Sequence, residues 1–201
     1  MINFDNILFN IDISPGIPRP GSLLVAEPFL REQYFSHAVI TLIEYAPGGS
    51  AMGIVLTRMT GHPLQSLVGA IKIKEPIPVF CGGPLSCDRL YFIHTLGELL
   101  PGARHIARDL YIGGDFNTMV DYTNSGYPVD GLIRFFIGYS GWSENQLDTE
   151  LRQNVWAVTD LPDPTSHILT GEEDTFWHNI VRSLGPKYRG WLYHPQNPHA
   201  N

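Results

Sequence analysis

Apolar positions along the chain fall mostly into short, β-branched runs, with only a few stretches at helical spacing. Residues 38–44, Ala-Val-Ile-Thr-Leu-Ile-Glu, end at Pro47-Gly48-Gly49 and predict a strand followed by a turn. Residues 52–57 predict a second strand, and the short loop between them predicts a hairpin. Gly53 inside that strand predicts a bulge or the close approach of another backbone. Runs at 22–28, 78–81, 90–94 and 155–158 read as further strands, and 105–112 as one more. Residues 133–139, Ile-Arg-Phe-Phe-Ile-Gly-Tyr, read as a strand of high β propensity.

Helical spacing appears in four places. Pro63 opens a short segment in which Leu64, Leu67 and Val68 share a face. Asp115 is placed to cap a helix reaching about Tyr122. A third helix is expected to start at Ser143. Ser143 would accept from the Gln146 N–H while the Gln146 side chain reaches back to the Ser143 N–H. Trp142 and Leu147 stand at the positions that pack across such a start, and Asp148 and Arg152 have the spacing of a helical ion pair. Thr170 and Glu173 form a second capping pair, ahead of a fourth helical face of Phe176, Trp177, Ile180, Val181 and Leu184 and a stop at Gly185-Pro186. Together these elements predict an α+β fold, a mixed β-sheet core with about four flanking helices in a single compact domain. The domain would span 21–185, after an N-terminal arm over 1–20 and before a C-terminal tail over 186–201 that packs on it.

Composition narrows the class. The 201 residues are 43% hydrophobic and 16% charged, which is globular rather than disordered. A chain of this length buries roughly 70% of its unfolded surface, so it needs no staple. The net charge of -7, with basic residues scattered singly, works against direct nucleic-acid binding and against an anionic membrane surface. There is no leader-like start and no apolar run of membrane-spanning length, so the cytoplasm is the expected location.

The stretch 136–156 condenses a buried strand, a glycine turn over Gly138 to Gly141 and a capped helix. Gly138-Tyr-Ser-Gly-Trp142 approximates the nucleophile pattern G-x-S-x-G, but Trp142 stands where that pattern needs glycine. Several blocks resemble the YqgE/AlgH proteins of bacteria: residues 21–28, Gly53-Ile-Val-Leu-Thr-Arg58, Gly82-Gly-Pro84 through His94, Gly138 to Trp142, and Gln146 to Glu150. Thr57 departs from the family's usual Asn, Ile93 from its Leu, and residues 143–145 from its Gly/Ser-Pro-Gly. The resemblance implies a mixed sheet with flanking helices and, for some members, transcriptional regulation tied to alginate synthesis. It implies no established biochemical activity.

Two function classes follow. The first is a cytosolic, non-enzymatic regulatory or interaction protein with a protein or small-molecule partner. The second is a small-molecule binder or enzyme with a pocket between the Gly-Gly-Pro and Gly-Tyr-Ser-Gly-Trp blocks. The candidate surface comprises Gly82, Gly83, Pro84, His94, Gly138, Tyr139, Ser140, Gly141, Trp142 and Gln146. No catalytic set, cofactor or metal site is expected, since the eight histidines show no ligand spacing. Cys81 and Cys87 flank the Gly-Gly-Pro turn, either as buried small side chains or as a redox pair.

Overall fold

The computed structural model describes residues 16–30, 32, 34–170 and 173–193. The arm over 1–15, the end of the tail over 194–201, and the side-chain contacts expected of Thr170 with Glu173 lie outside what is described. The sheet begins with β1 (Leu23–Ala26), β2 (Val39–Tyr45) and β3 (Ala51–Val55). These strands are buried on both faces, so they read as continuous apolar runs rather than alternating ones. β2 and β3 form the expected hairpin, with a register shift between Leu42 and Glu44 beside Gly53. A Cβ on Gly53 would lie 2.6 Å from Ile40 Cγ2, so close packing explains that glycine.

The remaining strands are β4 (Met59–Pro63), β5 (Pro78–Cys81), β6 (Leu85–His94), β7 (Arg104–Ala107), β8 (Leu110–Ile112), β9 (Ile133–Trp142) and β10 (Trp156–Thr159). The spatial order is β10-β1-β2-β3-β9-β6-β8-β7, with β4 joined to β5 and β5 to β9. Every pairing is antiparallel except β5 with β9. β9 is the seam. One edge carries β6; the other carries β5 along its first half and β3 at residues 140–142.

This topology sets a severe local constraint. β5 and β6 lie on opposite edges of β9, yet only residues 82–84 join them. Two strand spacings are about 10 Å, which leaves a connection this short no room to arch away. The backbone therefore crosses β9 in direct contact. A Cβ on Gly138 would lie 2.5 Å from the Gly83 carbonyl oxygen, and Cβ atoms on Gly82 or Gly83 would come closer still to the β9 backbone. Three hydrogen bonds pin the crossing: Gly82 N–H to the Ile137 carbonyl (2.8 Å), and Val55 N–H (2.9 Å) and the Ser140 hydroxyl (3.3 Å) to the Gly82 carbonyl.

Helices cover both faces. α1 (Leu64–Leu67) and α2 (Phe116–Asn124) pack near Phe92 and Phe135, with Asp115 capping α2 through the Thr118 N–H at 2.8 Å, as expected. α3 (Gln146–Arg152) covers Trp142, Trp156 and Leu24. On the other side of the sheet, α4 (Glu173–Ser183) and the 3-10 turn Pro186–Tyr193 bury Trp177 and Trp191 against Phe136 and Ile54.

Three expectations need correction, and one strand is additional. Residues 138–141 are not a turn: β9 runs on through Trp142, because β3 pairs with its last three residues. The single strand over 105–112 is a hairpin of β7 and β8, reversing at Arg108 with φ 51°. β4 was not foreseen, since Met59–Pro63 has neither alternation nor β-branched density. α3 starts at Gln146, not Ser143. Asn145 at φ 60° precedes it, and only half the reciprocal cap forms.

The crossing makes a sharp prediction. Gly138→Ala should lower unfolding stability by more than about 3 kcal/mol in a denaturant titration, because rigid backbone opposes the new methyl at a left-handed φ of 73°. Gly141→Ala should cost less than about 1 kcal/mol, since only the flexible Leu85 side chain must move.

Candidate functional site

The stretch 136–156 organises itself around Glu150. Trp142 closes β9 and Trp156 opens β10, and both indole N–H groups donate to Glu150 Oε2, at 2.8 and 2.7 Å. Their rings meet edge to face, 6.2 Å between centroids. Gln146 Nε2 donates to Glu150 Oε1 at 2.9 Å, while Gln146 Oε1 accepts from the Ser143 N–H at 3.0 Å and from its hydroxyl at 3.1 Å. A buried indole needs an acceptor, and one carboxylate satisfies two of them without a donor conflict. The Gln146 N–H bonds the Ser143 carbonyl rather than its hydroxyl, so the second half of the expected cap is replaced by a backbone turn.

Asp148 grips the neighbouring hairpin. It accepts from the Tyr45 hydroxyl at 2.7 Å and from the Gly48 N–H at 2.6 Å, and Asn145 N–H reaches the Gly48 carbonyl at 3.2 Å. The Tyr45 hydrogen bond first, then the Gly48 N–H, holds the Asp148 carboxyl below its ordinary range. Burial, reinforced by Asp148, pushes the Tyr45 phenol up to about 12. The expected Asp148–Arg152 ion pair does not form; Arg152 donates to Thr149 Oγ1 instead. Thr57, where the family pattern has Asn, accepts from the Val39 N–H at 3.4 Å.

The candidate residues divide sharply. Gly82, Gly83, Gly138 and Ser140 are buried at the strand crossing, and the Ser140 hydroxyl is spent on the Gly82 carbonyl. Trp142 is buried on Glu150, and Tyr139 is half-buried with its ring against Tyr91. Pro84, Gly141 and Gln146 are exposed. The two glycine blocks thus meet, but their own backbones fill the space between them at the contact. His94 belongs to the other end of the molecule. It pairs with Ile133, nine residues of β9 from Trp142, or about 30 Å of strand. Fully buried, it accepts from the Leu96 N–H at Nδ1 (3.2 Å), so Nε2 carries the proton and donates to the Gly113 carbonyl (2.9 Å). Burial lowers its pKa, partly offset by the Gly113 bond.

An open cleft of about 690 Å³ lies elsewhere, between the 73–78 loop, the end of α2 with residues 126–130, and Leu169-Thr170. None of the ten candidates lines it. Its walls carry Ile73, Pro76, Pro78, Tyr127, Pro128 and Val129. Arg134, only 4% exposed, forms part of the floor with its guanidinium 3.7 Å over the Phe80 ring, and its Nη1 donates to the Ile168 and Thr170 carbonyls at 3.0 and 3.2 Å. The sequence signal for this site was a single arginine inside an aromatic strand. Glu150 had no such signal, because its role depends on two tryptophans converging in space. Among the described residues, no three His, Cys, Asp or Glu side chains group as metal ligands, and no helix is long and apolar enough to cross a membrane.

Known proteins resemble this chain over its whole length. The AlgH-like family model matches residues 23–189. A UPF0301 protein of Parabacteroides distasonis is 41% identical over 202 residues, covering 100% of both chains. One from Bacteroides thetaiotaomicron is 36% identical, again with 100% of each covered. Among solved structures, a Corynebacterium diphtheriae protein superposes with a TM-score of 0.73 at 19% identity, covering 94% of this chain and 99% of that one. The AlgH protein of Pseudomonas aeruginosa gives 0.65 at 23% identity, covering 87% and 94%. At those identities the solved structures speak for the fold.

Two outcomes test the marker network. Glu150→Ala should cost about 2–5 kcal/mol in denaturant unfolding by stranding two indole N–H groups, with Glu150→Gln costing less. Asp148→Asn should bring the Tyr45 phenol down from about 12 toward 10.0 in an ultraviolet pH titration. Because Tyr45 is raised, its stabilising share is complete below pH 10.0 and is lost as pH rises to about 12. Asp148, being lowered, contributes above its ordinary value of 3.8, and that share fades as pH falls below it.

Proposed function

The chain belongs to the AlgH-like family, and on that basis we propose that it is a cytosolic regulatory or interaction protein that works by binding at the cleft over Arg134, not by catalysis. The cleft's lining supports this reading. Its volume of about 690 Å³ falls in the range that takes a small organic ligand or a short peptide segment. Its walls are prolyl, aliphatic and aromatic, with a few charged groups at the edge: Lys74, Glu75 and Asp130. The lining is mostly aliphatic, prolyl and aromatic, so it offers contact area and orientation to a largely apolar ligand. Exposed Tyr127, at 61%, gives the rim an aromatic anchor of the kind that carries binding energy.

The family-marking residues fit the same reading, since Gly82, Gly83, Gly138, Ser140 and Trp142 are committed to the fold. In this view a transcriptional effect is exerted through a partner. A net charge of -7 opposes the phosphate contacts that direct DNA binding requires.

The test is a thermal-shift and native mass-spectrometry screen of wild type, Tyr127→Ala and Pro76→Arg against small molecules and short peptides. A ligand found on wild type should lose about tenfold or more in affinity on either variant, equivalent to about 1.4 kcal/mol. Binding that ignores both substitutions, or turnover of any ligand, would overturn the proposal. Fluorescence anisotropy with duplex DNA at low salt should show no salt-sensitive complex.

A further inference from the structure

We propose that Cys81 and Cys87 form a dithiol site at the strand crossing that small disulfides oxidise to a single intramolecular disulfide. The two residues approach from opposite edges of β9, and both thiols turn toward one atom. Cys81 Sγ lies 3.8 Å and Cys87 Sγ 3.7 Å from the Gly83 carbonyl oxygen. The sum of those two contacts caps the sulfur–sulfur separation at about 7.5 Å. Cys87 Sγ also approaches the Pro84 carbonyl at 3.2 Å.

The space they share exists because of Gly138. A Cβ at that position would stand 2.5 Å from the Gly83 oxygen and 3.5 Å from Cys87 Sγ, so the thiols gather over a β9 residue that has no side chain. The two cysteines differ in freedom. Cys81 is fixed in β5, paired with Ile137 and bonded through its N–H to the Arg58 carbonyl at 2.7 Å. Cys87 is exposed and lies in residues 86–89, the bulge extruded between the Leu85–Tyr139 and Leu90–Ile137 pairs. Residues 86–89 have no cross-strand partner in that register, so Cys87 can travel the last few ångströms toward Cys81 without opening β5.

Exposure and freedom assign an order to the chemistry. The Cys87 thiol gives its proton to solvent, and the thiolate attacks an external disulfide RSSR. Cys87–S–S–R forms and RS⁻ leaves. The Cys81 thiolate, its proton likewise lost to solvent, then attacks Cys87 Sγ. The bond to R breaks and a second RS⁻ departs. Both leaving thiolates recover the released protons. The protein dithiol loses two electrons and RSSR gains them, giving one protein disulfide and two RSH. This site is separate from the cleft, and the inference does not rest on the cleft's role.

The experiment uses the full chain under native conditions with oxidised glutathione, followed by blocking of free thiols, intact mass and peptide mapping. Wild type should lose both thiols together, retain no glutathione, form no intermolecular disulfide, and yield a peptide linking Cys81 to Cys87. Cys81→Ser should stop at a stable glutathione adduct on Cys87, and Cys87→Ser should react about tenfold more slowly. In denaturant, closure of the wild-type mixed disulfide should slow about tenfold, which reads the native geometry without any variant. Phenylarsine oxide, which bridges two neighbouring thiols, should bind native wild type one to one and protect both from alkylation. A persistent glutathione adduct on wild-type Cys87 with Cys81 free, independent adducts on both, intermolecular dimers, or closure no faster in the native state would overturn the proposal.

Discussion

The passage of residues 82–84 across β9 is the contact on which the rest of this structure depends. Backbone meets backbone there, with no side chain between, and the three glycines at the contact have no room for a Cβ. Because the connection is so short, β5 is forced to run parallel to β9 while β6 runs antiparallel on its other edge. β5 in turn holds β4, and β6 holds β8 and β7. The Val55 N–H bond to Gly82 ties the same point to the β2–β3 hairpin. One crossing therefore joins the two halves of the sheet.

The family-marking segment continues this work toward the other side. After the crossing, β9 ends at Trp142, whose indole is held by Glu150, and the same carboxylate holds Trp156 at the start of β10. Asp148, two residues earlier on the same helix, holds the β2–β3 turn. The short helix α3 thus fastens three separate strands through two carboxylates. Its two carboxylates are spent on the fold, and the cleft over Arg134 lies apart from them.

Much of this could be read from the chain. The apolar runs located β1, β2, β3, β5 and β9. Asp115 marked the start of α2, and the spacing of Phe176, Trp177, Ile180 and Val181 marked the buried face of α4. Gly53 announced a close contact, and one was present. The failures share a cause. Residues 138–141 looked like a turn because glycine is usually a sign of one, whereas here it answers a neighbouring chain 55 residues away in sequence. β4 has no local strand signal and exists because β5 offers it an edge. His94 was grouped with the glycine blocks by its place in the family pattern, and β6 carries it to the far end of β9.

The sequence by itself determined most of the elements, the family and the identities of the residues that mark it, because periodicity, capping and turn chemistry act within a few positions along the chain. Only the tertiary structure decided what those residues do. That Ser140 pins the Gly82 carbonyl, that Glu150 joins two indoles, that two thiols share one carbonyl, and that the open cleft lies away from every marked residue all depend on contacts between segments far apart in the chain. Such contacts are fixed by which strand lies beside which, and a linear pattern of apolar and polar positions carries no record of that pairing.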